Sequence, residues 1–157
     1  MTARTMMTPT SFAPYPWMRF ALQELGQAEQ PGPAQNHRIL QYQLTTGHTQ
    51  DEDVPWCSSF ANWCMRQVGV LGTGQPNARS WLTWGDGLPT TAPCYGCITI
   101  FSRPPKPWNG HVGFYVGQAG GDIWVVGGNQ HNGVRLLRYP WTRWLGFRWP
   151  AGISQPQ

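Results

Sequence analysis

The 157-residue chain predicts an α+β domain, with N-terminal helices packed on an antiparallel sheet of about five strands. Three observations carry that prediction. Apolar residues recur at helical spacing in the first half; after about residue 95 the period shortens to that of strands; and 15 prolines and 19 glycines punctuate the chain into short elements. Charged residues are only 11% of the total, against about 25% in ordinary globular domains, and ten tryptophans raise the aromatic share to 13%. That composition supplies one sizeable core, and the length is too small for two comfortable ones. The expected organisation is a loose arm over residues 1–15 followed by a single domain over 16–152.

The first helix is expected in "PWMRFALQELGQAEQ", where Pro16 suits the first turn, Phe20, Ala21, Glu24 and Leu25 follow helical spacing, and Gly26 is placed to end it. "PGPAQ" reads as a turn. A second helix is expected in "NHRILQYQLTTG", with Asn36 as its cap and Gly47 as its stop. The third, beginning at Cys57, is the most regular: Cys57, Phe60, Ala61, Cys64, Met65 and Val68 form an apolar stripe, with Gly69 and Gly72 at its end. "ARSWLTWG" reads as a further short helix. The strands are then "CITIFS", "HVGFYVG", "DIWVVGG", "VRLLRY" and "LGFRWP".

The net charge of +4 is spread out, and its densest group is Arg135, Arg138, Arg143 and Arg148, interleaved with aromatics. A solvated strand face explains that group as well as a polyanion groove does, so no nucleic-acid partner is assigned. No run approaches the roughly 20 apolar residues of a membrane span, and no membrane insertion is expected. The N-terminal stretch lacks the continuous apolar segment of a secretory signal.

A thiol at the first turn of a helix is a candidate nucleophile. Unpaired backbone N–H groups and the positive end of the helix dipole favour thiolate there, and the N–H groups of Cys57 and Ser58 are placed to hold an oxyanion. A base is needed as well. His37 and His48 precede Cys57 and His131 lies in a turn, whereas His111 opens an alternating strand, with Gly113 leaving room on its face for another element. The next strand ends in "GGNQ", so Asn129 or Gln130 is placed to accept a hydrogen bond from the imidazole. Thiolate, imidazole and carboxamide in that order suit a cysteine peptidase or amidase.

Several stretches in order carry a resemblance: "DEDVPWCSSFANWCMRQVGVLGTG", "ARSWLTWG", "GHVGFYVG", "VVGGNQ" and "YPWTRWLGFRWP". From about Pro16 to Pro150 the chain resembles the NlpC-type and CHAP-like peptidoglycan hydrolases, small papain-like cysteine amidases or endopeptidases. The resemblance implies a papain-like fold, Cys57 as nucleophile, His111 as general base, and Asn129 as the polar third member, with Gln130 beside it as the alternative. It implies the peptidoglycan stem peptide as substrate and no metal or other cofactor. Without an ordinary signal peptide, two settings suit such an enzyme: a phage lysin released at lysis, or an antibacterial effector injected by a type VI-like apparatus and held in check by an immunity protein. A non-catalytic glycan- or protein-binding module on the same fold is the competing reading.

Other residues weigh less. Cys64 lies about 10.5 Å along the helix from Cys57, too far for a disulfide, and reads as core. Cys94 and Cys97 form a Cys-x-x-Cys where the resembled family more often has a Pro-Gly-Asp style turn; a disulfide between them, a zinc site and plain thiols are all open. Trp56 and Trp108 are the tryptophans expected to wall a substrate groove, and the loop "RPPKPWNG" before His111 is a candidate specificity element. Glu52 and Asp53 are placed to support the Cys57 loop.

Overall fold

The computed structural model describes residues 15–30, 36–47 and 55–155. The expected arm, apart from Tyr15, and the "PGPAQ" turn lie outside the described residues, as do His48, Glu52 and Asp53. Helices α1 (Trp17–Gln23), α2 (His37–Leu44) and α3 (Cys57–Gln67) come first, followed by a 3₁₀ turn at Ala78–Thr83. Six strands complete the domain: β1 (Asp86–Leu88), β2 (Ile98–Ser102), β3 (Gly110–Ala119), β4 (Asp122–Gln130), β5 (Gly133–Pro140) and β6 (Trp144–Trp149). They form one antiparallel sheet in the order β1-β6-β2-β3-β4-β5. The five strands legible in the sequence are all present. The sixth, β1, is three residues long and pairs along the edge of β6, too short to carry a periodic signal.

The helix ends follow local chemistry. Asn36 caps α2, its side-chain oxygen accepting from the N–H groups of Arg38 and Ile39 at 2.8 and 3.4 Å. Helix α3 stops at a left-handed Gly69 (φ 74°), where Gly69 N–H donates to Arg66 O and Val70 N–H reaches back to Met65 O. This paired closure satisfies carbonyls that would otherwise be orphaned. Helix α1 ends earlier than its sequence run, and its buried face is Trp17, Met18, Ala21 and Glu24, while Leu25 is exposed. Glu24 is tolerated inside because Tyr42 Oη donates to it at 2.6 Å and Arg38 pairs with it at 3.0 Å.

Helix α3 lies across β3 and β4 and buries the predicted stripe from Cys57 to Met65. Phe60 meets Phe114 of β3 edge-on at 6.3 Å. The close approach is made at Gly128 of β4, where an added Cβ would come within 2.6 Å of Phe60 and 2.7 Å of Trp56. Gly113, expected to open this space, faces the Val125 side chain of the neighbouring strand instead. Among the described residues no helix is long and apolar enough to cross a membrane.

The sheet is strongly coiled. Phe101 on β2 and Tyr139 on β5 lie three strand spacings apart, roughly 14 Å in a flat sheet. Their ring centroids are 4.8 Å apart. That curl brings the far strand of the sheet to the first residues of β3, where His111 sits.

Candidate active site

The site begins at the N-terminus of α3. The first bond of the helix runs from Phe60 N–H to Trp56 O at 2.9 Å, so the N–H groups of Cys57 and Ser58 have no intrahelical acceptor. Both are directed at the Cys57 sulfur, and so is the N–H of Val112, the residue after His111 on β3. Cys57 is therefore seated between a helix N-terminus and the start of β3. The Ser58 hydroxyl is occupied elsewhere: it donates to Gln75 O at 2.7 Å and accepts from Trp81 Nε1 at 2.9 Å, fixing the helix to the 3₁₀ turn.

Cys57 is 4% exposed, and burial pushes its thiol pKa up. The N–H of Val112, the Arg103 guanidinium and the N–H groups of Ser58 and Cys57 act in the opposite direction without winning. His111, also buried, is lowered to about 4, first by desolvation and then by the Arg143 and Arg103 charges, against the Gln130 hydrogen bond. Burial thus opposes charge on both side chains.

The carboxamide that touches His111 is Gln130, not Asn129. Gln130 Oε1 lies 2.7 Å from His111 Nε2, while Gln130 Nε2 donates to Arg135 O at 2.7 Å. That second bond fixes the amide with its oxygen toward the ring. An amide oxygen only accepts, so His111 carries its proton on Nε2 and leaves Nδ1 as a free acceptor. Asn129 is displaced by a bulge: the β4–β5 register shifts between Gly127 and Gln130, and Asn129 adopts φ 57°. The bulge inverts the alternation, turning Asn129 toward the half-exposed side and folding Gln130 under the strand. Gly127 makes this possible, because a Cβ there would lie 2.6 Å from Gln130 Oε1. The doublet "GG" before "NQ" was the only trace of it in the sequence.

A cleft of about 220 Å³ opens onto Cys57, and Asn77, Arg103, Trp108 and Asn109 are among its walls. Trp108 is 66% exposed, has Lys106 Nζ 5.8 Å from its ring centroid, and lines this cleft. Trp56 does not. It is fully buried, packs on Tyr42 at 5.7 Å and donates its indole N–H to Glu29 at 2.8 Å. As the residue ahead of α3 it faces inward with the apolar stripe. The other described histidines, His37 and His131, are exposed. All four cysteines are free thiols.

Sequence reasoning missed Tyr139. Its ring lies 4.9 Å from that of His111, with Arg143 5.3 Å from its centroid on β5's continuation, and Arg143 Nε donates to Ser102 O at 2.9 Å. Phe101, Tyr139 and Gln130 thus hold the imidazole on several sides. The contact depends on the coiling of the sheet, which leaves no local pattern.

The CHAP domain family matches residues 49–129, just over half of the 157-residue chain, from ahead of Cys57 through His111 to Asn129. The chain belongs to the CHAP family. Among solved structures it is similar to the wild type endolysin LysIME-EF1, at 16% identity with a TM-score of 0.51 over 87% of this chain and 64% of that one. At that identity the likeness is one of fold, and this CHAP chain corresponds to less than two thirds of the endolysin's length. No curated protein matches it.

Proposed function

We propose that this CHAP domain is a peptidoglycan hydrolase that cleaves an amide bond of the wall stem peptide by a thiol mechanism. The observation that carries the reading is the seating of Cys57 at a helix N-terminus on a cleft open to solvent and against Val112, the strand neighbour of a buried His111 whose Nε2 is held by Gln130. Membership of the family and the endolysin's similar fold support it.

In this mechanism His111 Nδ1 takes the Cys57 proton as the sulfur attacks the scissile carbonyl. The N–H groups of Cys57 and Ser58 stabilise the oxyanion. The imidazolium then protonates the leaving amine, and a thioester remains on Cys57 until water, deprotonated by His111, releases the acid. Gln130 keeps the ring in the required tautomer and orientation throughout. Asn129, given that place by the resemblance, has no such contact with the ring.

The site of action is the bacterial wall, reached by release at lysis or by injection into a competitor; an injected enzyme requires an immunity protein in its producer, and plugging the Cys57 cleft is its simplest action. The test is digestion of purified sacculi with wild type, Cys57→Ala and His111→Ala, with mass spectrometry of the products. Muropeptides released by wild type alone support the hydrolase and name the bond. A folded wild type that binds sacculi and releases nothing, beside an active control enzyme, replaces the hydrolase with a non-catalytic binding module.

A further inference from the structure

The basic side chains around the cleft are not equivalent. Arg79 Nε donates to Asn109 O at 2.8 Å and Arg143 Nε to Ser102 O at 2.9 Å, so both brace the walls. Lys106 lies over the Trp108 ring. Arg103, at the start of the "RPPKPWNG" loop, is half-buried, lines the same cleft as Cys57, and makes no hydrogen bond or ion pair with any described residue. Among the described residues no aspartate or glutamate lines the cleft. A half-buried guanidinium without an acceptor among the described residues has its planar fork open, and that fork matches a carboxylate in two parallel hydrogen bonds.

We propose that Arg103 is a specificity-determining residue that binds a free carboxylate on a residue flanking the scissile bond. This rests on the peptidoglycan reading of the Cys57 cleft and narrows it. Stem peptides present such groups: a γ-linked glutamate leaves its α-carboxylate free, and a diaminopimelate adds carboxylates of its own. Each can also occur as the uncharged carboxamide, which offers only one acceptor atom and no charge. The exposed face of Trp108, on the same loop, supplies an apolar wall along which the peptide lies. Arg103 and Cys57 line the same cleft, so a carboxylate held by Arg103 lies on the face where the thiol opens.

The test uses soluble muropeptides that differ only in the glutamate α-carboxylate or a diaminopimelate carboxylate being free or amidated. Wild type should cleave the fully acidic peptide about 10- to 100-fold better in kcat/KM than one of the amidated forms, mostly through KM, the scale of a charge-assisted hydrogen bond. Arg103→Gln should remove that preference by losing activity on the acidic peptide alone, and Arg103→Lys should restore part of it. Equal cleavage of all forms by wild type, or a preference that persists in Arg103→Gln, overturns the assignment while leaving the hydrolase reading intact. Binding measured with Cys57→Ala separates the two levels. If this variant binds none of the peptides and wild type cleaves none, the peptidoglycan reading falls and takes this proposal with it.

Discussion

Cys57 and Cys64 stand on one helix, on one apolar stripe, and are both buried, yet their surroundings differ in kind. At Cys57 backbone N–H groups and the charge of Arg103 oppose the rise that burial imposes. Cys64 has burial first and then the Glu24 charge, both acting to keep it a thiol, and its pKa is raised well above the ordinary value. Two turns of helix separate a sulfur whose burial is opposed by N–H groups and a positive charge from one whose burial is reinforced by a negative charge. Burial alone therefore does not distinguish a nucleophile from core; the sign of the nearby charges and the end of the helix do.

The strongest way to break the comparison is to exchange the consequences of losing each thiol. Cys57→Ala should reduce muropeptide release by about 10³-fold or more, the scale seen when a covalent nucleophile is removed, while Cys64→Ala should stay close to wild type. In a Cys94→Ser background, which removes a partly exposed thiol, iodoacetamide should inactivate the enzyme in step with labelling of Cys57. Labelling of Cys64 at the same rate, read by peptide mass mapping, would show the two sulfurs to be equivalent and the argument from surroundings wrong.

His111 gives the Cys57 end a pH signature that the Cys64 end lacks. Its folded pKa of about 4 lies below the ordinary 6.5, so the unfolded chain binds more protons between those values. The stabilising contribution is fully present above about pH 6.5 and is lost as the pH falls through about 4, a change of about 3 kcal/mol. Chemical denaturation across that window should show the loss, and His111→Asn should flatten it. The acid limb of kcat/KM should likewise fall near pH 4 rather than 6.5, because protonating His111 removes the base. A limb at 6.5 would mean that the imidazole is better solvated than its burial indicates.

The two ends also differ in how far they were legible. The stripe from Cys57 to Val68, the Asn36 cap and the glycine stop at Gly69 are local patterns, and each appears where its spacing placed it, with Val68 just past the helix. The five main strands were legible for the same reason. The orienting residue was not: a strand with strict alternation offers Asn129 and Gln130 opposite faces, and only the bulge between Gly127 and Gln130 selects the glutamine. Trp56 was misread because a residue adjacent to a nucleophile was assigned to the cleft, while its ring belongs to the inward face packed on Tyr42. Tyr139 reaches His111 across a coiled sheet, a relation that no local window contains.

Gln130 and Asn129 sharpen the comparison at the next scale down. Gln130→Ala should lower kcat by about 10- to 100-fold with little change in KM, since misplacing a catalytic group by about an ångström costs on that order. Gln130→Asn should recover little, because a side chain one methylene shorter does not span from Arg135 O to the imidazole. Asn129→Gly should leave kcat within about twofold and stability within a few tenths of a kcal/mol, as glycine takes the left-handed backbone without strain. A larger loss from Asn129→Gly than from Gln130→Ala in the sacculus assay would return the third position to Asn129.

The smallest effect belongs to Cys64, and it is one of packing. Truncating its buried sulfur removes about one methyl-sized volume beneath α1 and α2, which should cost about 1 kcal/mol. For a chain of this length that lowers Tm by about 2–4 °C. Cys64→Ser keeps the volume but buries a hydroxyl, and unless that hydroxyl finds an acceptor it should be the less stable of the two by about 1 kcal/mol or more. Glu24, already engaged by Tyr42 and Arg38, is the charge nearest in effect to Cys64, and it supplies the discriminating readout. If Cys64→Ser proves more stable than Cys64→Ala, the hydroxyl has reached an acceptor such as Glu24 or a helix carbonyl, and this end of the helix is more polar than its apolar stripe implies. If the alanine is the more stable, the site is dry and Cys64 is there for its shape.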